Sequence, residues 1–121
     1  VYVAGPYTAD PEPATARAIE VGNLVLDAGH APFVPHLHHY WHTLHGERAY
    51  HDWMRIDLAW LDTAHALIRI PGESHGAEQE VACAEIVGIP VHMLVSDEQC
   101  RRFLEKVASA MLRLAQQPEA G

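Results

Sequence analysis

Four short apolar stretches alternate with longer segments of helical periodicity, and this alternation limits the possible folds more than any other feature of the 121 residues. The stretches are Val1–Ala4, Ala31–Val34, Ala66–Ile70 and Pro90–Leu94. Gly5-Pro6 breaks the first, Pro35 closes the second and Pro71-Gly72 stops the third, as residues that turn or interrupt a strand do. Asp10-Pro11 predicts an N-cap followed by proline at the first helical position. The helix it opens shows Ala18, Val21 and Val25 on one face and ends at Gly29. A second helix is predicted over about Tyr50–Asp62 and a third from near Gly76 to Gly88. Ser96-Asp97-Glu98-Gln99 has capping-box form and opens a fourth, with Cys100, Phe103, Leu104, Val107, Met111 and Leu114 at helical spacing. His36 to about Ala49, rich in histidine and aromatics, reads as a loop, and Gln116–Gly121 as a frayed tail.

Strands separated by helices imply parallel pairing with right-handed crossovers. The expected fold is therefore α/β: a small doubly wound, flavodoxin-like or Rossmann-like three-layer sandwich. Its parallel sheet is predicted in the order 2-1-3-4. No repeat, linker or low-complexity stretch divides the chain, so residues 1–121 are read as a single domain. Sheets of this kind bind ligands beyond the carboxyl ends of their strands. Gly5–Thr8, Pro35–His39 and Pro71–Gly76 are the segments predicted to lie there.

Composition narrows the partners. The formal net charge of −8 argues against a nucleic acid polymer, whose phosphates need a basic face. Hydrophobic residues make up 49% and charged ones 20%, which suits a packed core. No apolar run approaches the roughly 20 residues of a membrane span, so no membrane association is expected. No signal-peptide pattern is present. The two cysteines, Cys83 and Cys100, fall on apolar helix positions and read as reduced core thiols, which points to a cytoplasmic protein.

Two carboxylates break the patterning. Asp57 shares the apolar stripe of its helix with Trp53, Ile56, Trp60 and Leu61, where an unpartnered charge is costly. The alternative puts Asp57 at the edge of the stripe, reaching solvent. Glu80 shares a face with Cys83, Ala84 and Val87, near a helix start whose dipole favours the anion. An ionised, semi-buried carboxylate beside a strand-end loop suits a nucleophile; the alternative is a surface glutamate that serves the dipole. Both carboxylates are expected to face one pocket.

Three motifs carry a family resemblance over roughly residues 1–95. Val1-Tyr2-Val3-Ala4-Gly5-Pro6 resembles the first strand and loop of the nucleoside 2-deoxyribosyltransferase superfamily. Asp57-Leu58-Ala59-Trp60-Leu61 resembles its D-L-x-x-L helix segment, and Ser74-His75-Gly76-Ala77-Glu78-Gln79-Glu80 its [SD]-x-G-x-x-x-E motif. The chain is similar to a small branch that opens on G-P and carries S-x-G-A-x-x-E. The resemblance implies Glu80 as the nucleophile that forms a glycosyl ester. It implies Asp57 for proton delivery to the departing base or contact with the sugar, and Tyr2 to orient Glu80. It places Gly5, Pro6, Tyr7, His36, Ser74 and Gly76 against substrate, a nucleoside or nucleoside 5′-monophosphate. Serine at Ser74, where the nucleoside transferases have aspartate, resembles the nucleoside 5′-monophosphate N-glycosidases; it is also a plain N-cap residue. Two positions depart from the pattern. The first loop lacks the phosphate-binding arginine of those glycosidases, for which Arg17 and Arg55 are possible replacements. Ala64-His65 stands where A-D is usual.

Of 10 histidines, six lie between His36 and His51, yet no metal-ligand pattern appears; neither a metal nor a cofactor is expected. Trp41, Trp53 and Trp60 read mostly as core, with Tyr40 or Trp41 able to stack on a base. The expected activity is cleavage or (deoxy)ribosyl transfer at an N-glycosidic bond. The alternatives are a catalytically silent nucleotide-binding or sensor module and a purely structural domain of the same fold. A homo-oligomer, dimer or higher, is expected, because so short a chain encloses a sugar and base poorly and neighbouring subunits complete the pocket in the family.

Overall fold

The computed structural model describes residues 1–117; residues 118–121, the remainder of the expected tail, lie outside the described residues. Strand β1 (Tyr2–Ala4) is followed by helix α1 (Pro11–Asp27), a 3₁₀ turn (Pro35–Leu37), α2 (His38–His45) and α3 (Tyr50–Leu61). Then come β2 (Leu67–Arg69), α4 (His75–Val87), β3 (Val91–Met93) and α5 (Asp97–Gln116). The fold is α/β, with a parallel three-stranded sheet in the order β1-β2-β3. Register is Tyr2 opposite Leu67 and Leu67 opposite Val91.

Because side chains alternate across a strand, the three-residue strands split cleanly between two cores. Val3 and Ile68 point to one face, where Ala18, Val21 and Val25 of α1 meet Cys100 and Leu104 of α5. Tyr2, Ala4 and Leu67 point to the other, under Leu61 of α3 and Ala77 and Ala84 of α4. Helices therefore cover both faces.

The expected four-stranded order 2-1-3-4 is not formed as a sheet. Residues 31–34 supply an isolated parallel bridge between Phe33 and Tyr2. Val3 N–H donates to the Phe33 carbonyl at 2.9 Å, and Phe33 N–H to Val1 at 2.8 Å. Pro32 and Pro35 flank this contact, and neither has an N–H with which to extend a ladder. The predicted loop after His36 is also corrected: it contains α2. That helix buries none of its residues, so it shows no apolar stripe to read.

The tryptophans depart from the core assignment. Trp53 is half-buried, while Trp41 and Trp60 are 49% and 56% exposed. Trp60 stacks on Phe33 with ring centroids 5.6 Å apart. Val87 and Leu114 are exposed as well, so the apolar faces of α4 and α5 are narrower than their periodicity suggests. Asp10 makes no capping bond through its side chain; proline in the first turn starts α1 without it. Ser74 and Ser96 do cap, accepting from Ala77 N–H at 3.1 Å and Gln99 N–H at 3.2 Å. Cys100 is buried and Cys83 half-buried, both as free thiols. Among the described residues no helix is long and apolar enough to cross a membrane.

Two glycines weld the strand ends that carry the loops. A Cβ on Gly5 would stand 2.8 Å from the Ile70 Cβ, closer than packed carbons come. Gly72 has φ +131°, and a Cβ there would lie 2.5 Å from the Pro6 ring. The first loop and the loop after β2 thus touch through their backbones. Gly5→Ala should cost about 1–3 kcal/mol by overpacking, read as a lower urea midpoint at unchanged slope; an unaltered midpoint would show that this contact yields freely.

Candidate functional site

The three segments predicted to sit beyond the strand ends line one cavity of about 920 Å³. Gly5, Tyr7 and Thr8 come from the first loop, His36, His38 and His39 from the segment after Val34, and Glu73, Ser74 and Gly76 from the entry to α4. Asp57 and Glu80 both line it, as expected. Tyr2 and Pro6 are not on its wall and act from behind it.

Glu80 sits one turn into α4, whose start is fixed by the Ser74 cap. That places its side chain over the sheet, where the Tyr2 hydroxyl donates a hydrogen bond to Oε2. Both residues are buried. Burial pushes the Tyr2 hydroxyl far above its ordinary range, with the Glu80 and Asp57 charges adding to the rise, so Tyr2 stays a donor. Burial likewise lifts Glu80 from 4.5 to about 7; the Asp57 charge adds, while the Tyr2 hydrogen bond and the Arg69 cation oppose.

This corrects the picture of a carboxylate held firmly ionised by the helix dipole. A dipole contribution is about 0.3–1 kcal/mol. A rise of this size corresponds to something on the order of 3 kcal/mol, so desolvation dominates. Glu80 is therefore a basic carboxylate, near the midpoint of its titration at neutral pH.

Asp57 is buried on α3 beside Leu61, and its Oδ1 lies 2.7 Å from Nε2 of His38. The His38 ring stacks on Trp53 at 4.8 Å. His36 is buried, and its Nε2 is 3.0 Å from the Pro6 carbonyl. A carbonyl only accepts, so Nε2 carries the hydrogen and Nδ1 is bare. Burial lowers the His36 pKa, against the Pro6 and Gly5 carbonyls, which keeps the ring neutral. Its Nδ1 is buried without a partner among the described residues. The Tyr7 hydroxyl is 2.9 Å from Nδ1 of His39.

Neither Arg17 nor Arg55 reaches the cavity. Arg17 pairs with Glu20, and Arg55 is exposed beside Asp52. Arg48 lines the wall instead, together with His42, Tyr50 and Trp53. His42 and Arg48 were missed because their segment reads as a loop; Tyr50 and Trp53 lie on the predicted second helix, where Trp53 reads as core. The available signal was the His36-x-His38-His39 run directly after a strand end. Among the described residues no group of three or more His, Cys, Asp or Glu could hold a metal ion.

The chain belongs to the family described as a domain of unknown function, DUF7768, whose model matches residues 1–94. That span contains β1 through β3 and every cavity residue named above. No curated protein is significantly similar to the chain.

The Glu80 environment sets a pH dependence of stability. A carboxyl whose pKa is raised on folding binds its proton more tightly in the folded state, so its contribution is full below about 4.5 and is lost as pH rises through about 7. Glu80→Gln removes the charge and leaves an acceptor for Tyr2. Its melting temperature should exceed that of the wild type at pH 8, with the gap closing towards pH 5. An equal offset at both pH values would mean that Glu80 is not desolvated as described.

Proposed function

We propose that this protein cleaves, or transfers at, the N-glycosidic bond of a nucleoside or nucleoside 5′-monophosphate, as a member of the nucleoside 2-deoxyribosyltransferase superfamily. The observation that carries the reading is Glu80: a buried, basic carboxylate, oriented by Tyr2 and sharing a cavity with Asp57. The cavity volume is of the size that holds a nucleotide-sized ligand.

In this reaction the ionised Glu80 attacks the anomeric carbon as the carbon–nitrogen bond breaks. The bonding pair leaves with the base, which takes up a proton on the Asp57 side. Tyr2 holds the attacking carboxylate in line and helps it to remain anionic. Water or a second base then attacks the anomeric carbon, and Glu80 departs. This follows the two-carboxylate logic of retaining glycosidases. Ser74 accepts from Ala77 N–H, so its own O–H remains to donate to a phosphate or sugar oxygen. Arg48, on the same wall and 3.4 Å from the Asp52 carboxylate, supplies a cation to an acidic chain. Gly5 and Gly76 let the backbone approach the ligand, and a Cβ on Gly76 would come within 3.2 Å of the Tyr50 hydroxyl. No metal or cofactor enters the scheme. The proposal includes a cytoplasmic setting, where nucleotides are abundant.

We also propose a homo-oligomer. Leu37, Tyr40, Trp41 and Leu44 are exposed on the segment that also carries the cavity-lining His38, His39 and His42, a placement that suits a surface completed by a second copy. Sedimentation at micromolar concentration should give a species larger than 13.4 kDa; a fully active monomer would contradict this.

Release of free base from nucleosides and their monophosphates, followed by chromatography, tests the activity. Glu80→Ala should reduce it by about 10³-fold or more, because the covalent route is removed. Ser74→Asp should penalise monophosphates more than nucleosides through like-charge repulsion. No release from any of these substrates by the wild type, or undiminished release by folded Glu80→Ala, would overturn the reading.

A further inference from the structure

The cavity holds a second ionisable pair that the scheme above uses only through its carboxylate. His38 Nε2 and Asp57 Oδ1 are 2.7 Å apart. The Asp57 carboxylate is 9% exposed and the His38 side chain 21%, so the carboxylate is the sheltered member. The ring is held on two sides, stacked on Trp53 at 4.8 Å and edge-on to Trp41 at 6.4 Å. Nδ1 of His38 makes no hydrogen bond among the described residues, and His38 lines the cavity.

In an imidazole–carboxylate pair the ring is the more basic member, so a proton shared between them resides on nitrogen. A buried carboxylate that accepts from one ring nitrogen fixes the tautomer and the orientation of the ring. Asp57 and His38 stand in that relation.

We propose that His38, oriented by Asp57, is the group that hands the proton to the departing base. The proposal rests on the glycosidic reading of the site and specifies its acid. As the carbon–nitrogen bond breaks, the electron pair remains on the base nitrogen, which takes the proton from Nδ1 of the imidazolium. The ring becomes neutral and keeps its Nε2–H on Asp57. When water attacks the glycosyl–Glu80 ester, Nδ1 takes the proton from that water and the imidazolium is restored. Asp57 then acts as a positioning residue, through His38.

The test compares two leaving groups on the same sugar. Purine nucleosides need a proton to depart, whereas 4-nitrophenolate from a nitrophenyl riboside does not. His38→Gln should lose about 100-fold or more in kcat/KM on the nucleoside and stay within about three-fold in kcat/KM on the nitrophenyl riboside, because kcat/KM reads the bond-breaking step and not the water step that both substrates share. His38→Phe keeps a ring on Trp53 and should behave the same way, which separates proton delivery from packing. Asp57→Asn should show a smaller loss, again confined to the nucleoside. Equal losses on both substrates, or a His38→Gln enzyme near wild type on nucleosides while Asp57→Asn is inactive, would overturn the proposal and leave the glycosidic reading intact. Glu80→Gln, run alongside, should lose both substrates. Its undiminished turnover would remove the underlying reading instead.

Discussion

The hydrogen bond from Tyr2 to Glu80 ties the first strand to the fourth helix, and the geometry of the cavity follows from it. Glu80 lies over the sheet because Ser74 caps α4 at a fixed point, and it is tolerated there because Tyr2 gives one oxygen a partner. Tyr2 can serve only if β1 is buried on both faces. Helices cover those faces, and parallel pairing with β2 and the Phe33 bridge hold its two edges. The same strand end carries Gly5, whose contact with Ile70 brings the first loop against the second. Strand, cap, loop weld and carboxylate are thus one mechanical unit.

The site is stabilised unevenly. Asp57 has a ring nitrogen beside it, while Glu80 has only a hydroxyl and the more distant Arg69 cation against the cost of burial. Arg69 is itself buried and is held by the Ile70 and Gly72 carbonyls, so its charge stays near the strand end. The protein therefore holds a carboxylate that is less stable ionised than it would be in water. That penalty makes Glu80 a stronger base than a surface glutamate.

Asp57 and Glu80 were legible in the sequence because a carboxylate on a buried helical face is an exception to a simple rule, and the α/β class because strand and helix alternate. The protonation of Glu80 was not legible. A helix dipole can be read from position along the chain, but desolvation depends on what packs above. The Ala31–Val34 strand was over-read from its apolar residues, although the prolines on either side of Phe33 allow only one bridge. Trp60 looked like core by composition, yet its helix turns it outwards to stack on Phe33. His38 was hidden for another reason: its partner lies 19 residues away on a different helix, and α2 shows no buried face to betray its orientation.

The proposed reaction requires a covalent bond between Glu80 and a sugar. A nucleoside with fluorine at the 2′ position should form that ester and release it slowly, since fluorine destabilises the cationic transition state of the second step. Intact-protein mass spectrometry after incubation should show one added fluoropentosyl group, and fragmentation should locate it on Glu80. Release of free base without any adduct, or an adduct on another residue, would contradict the assignment.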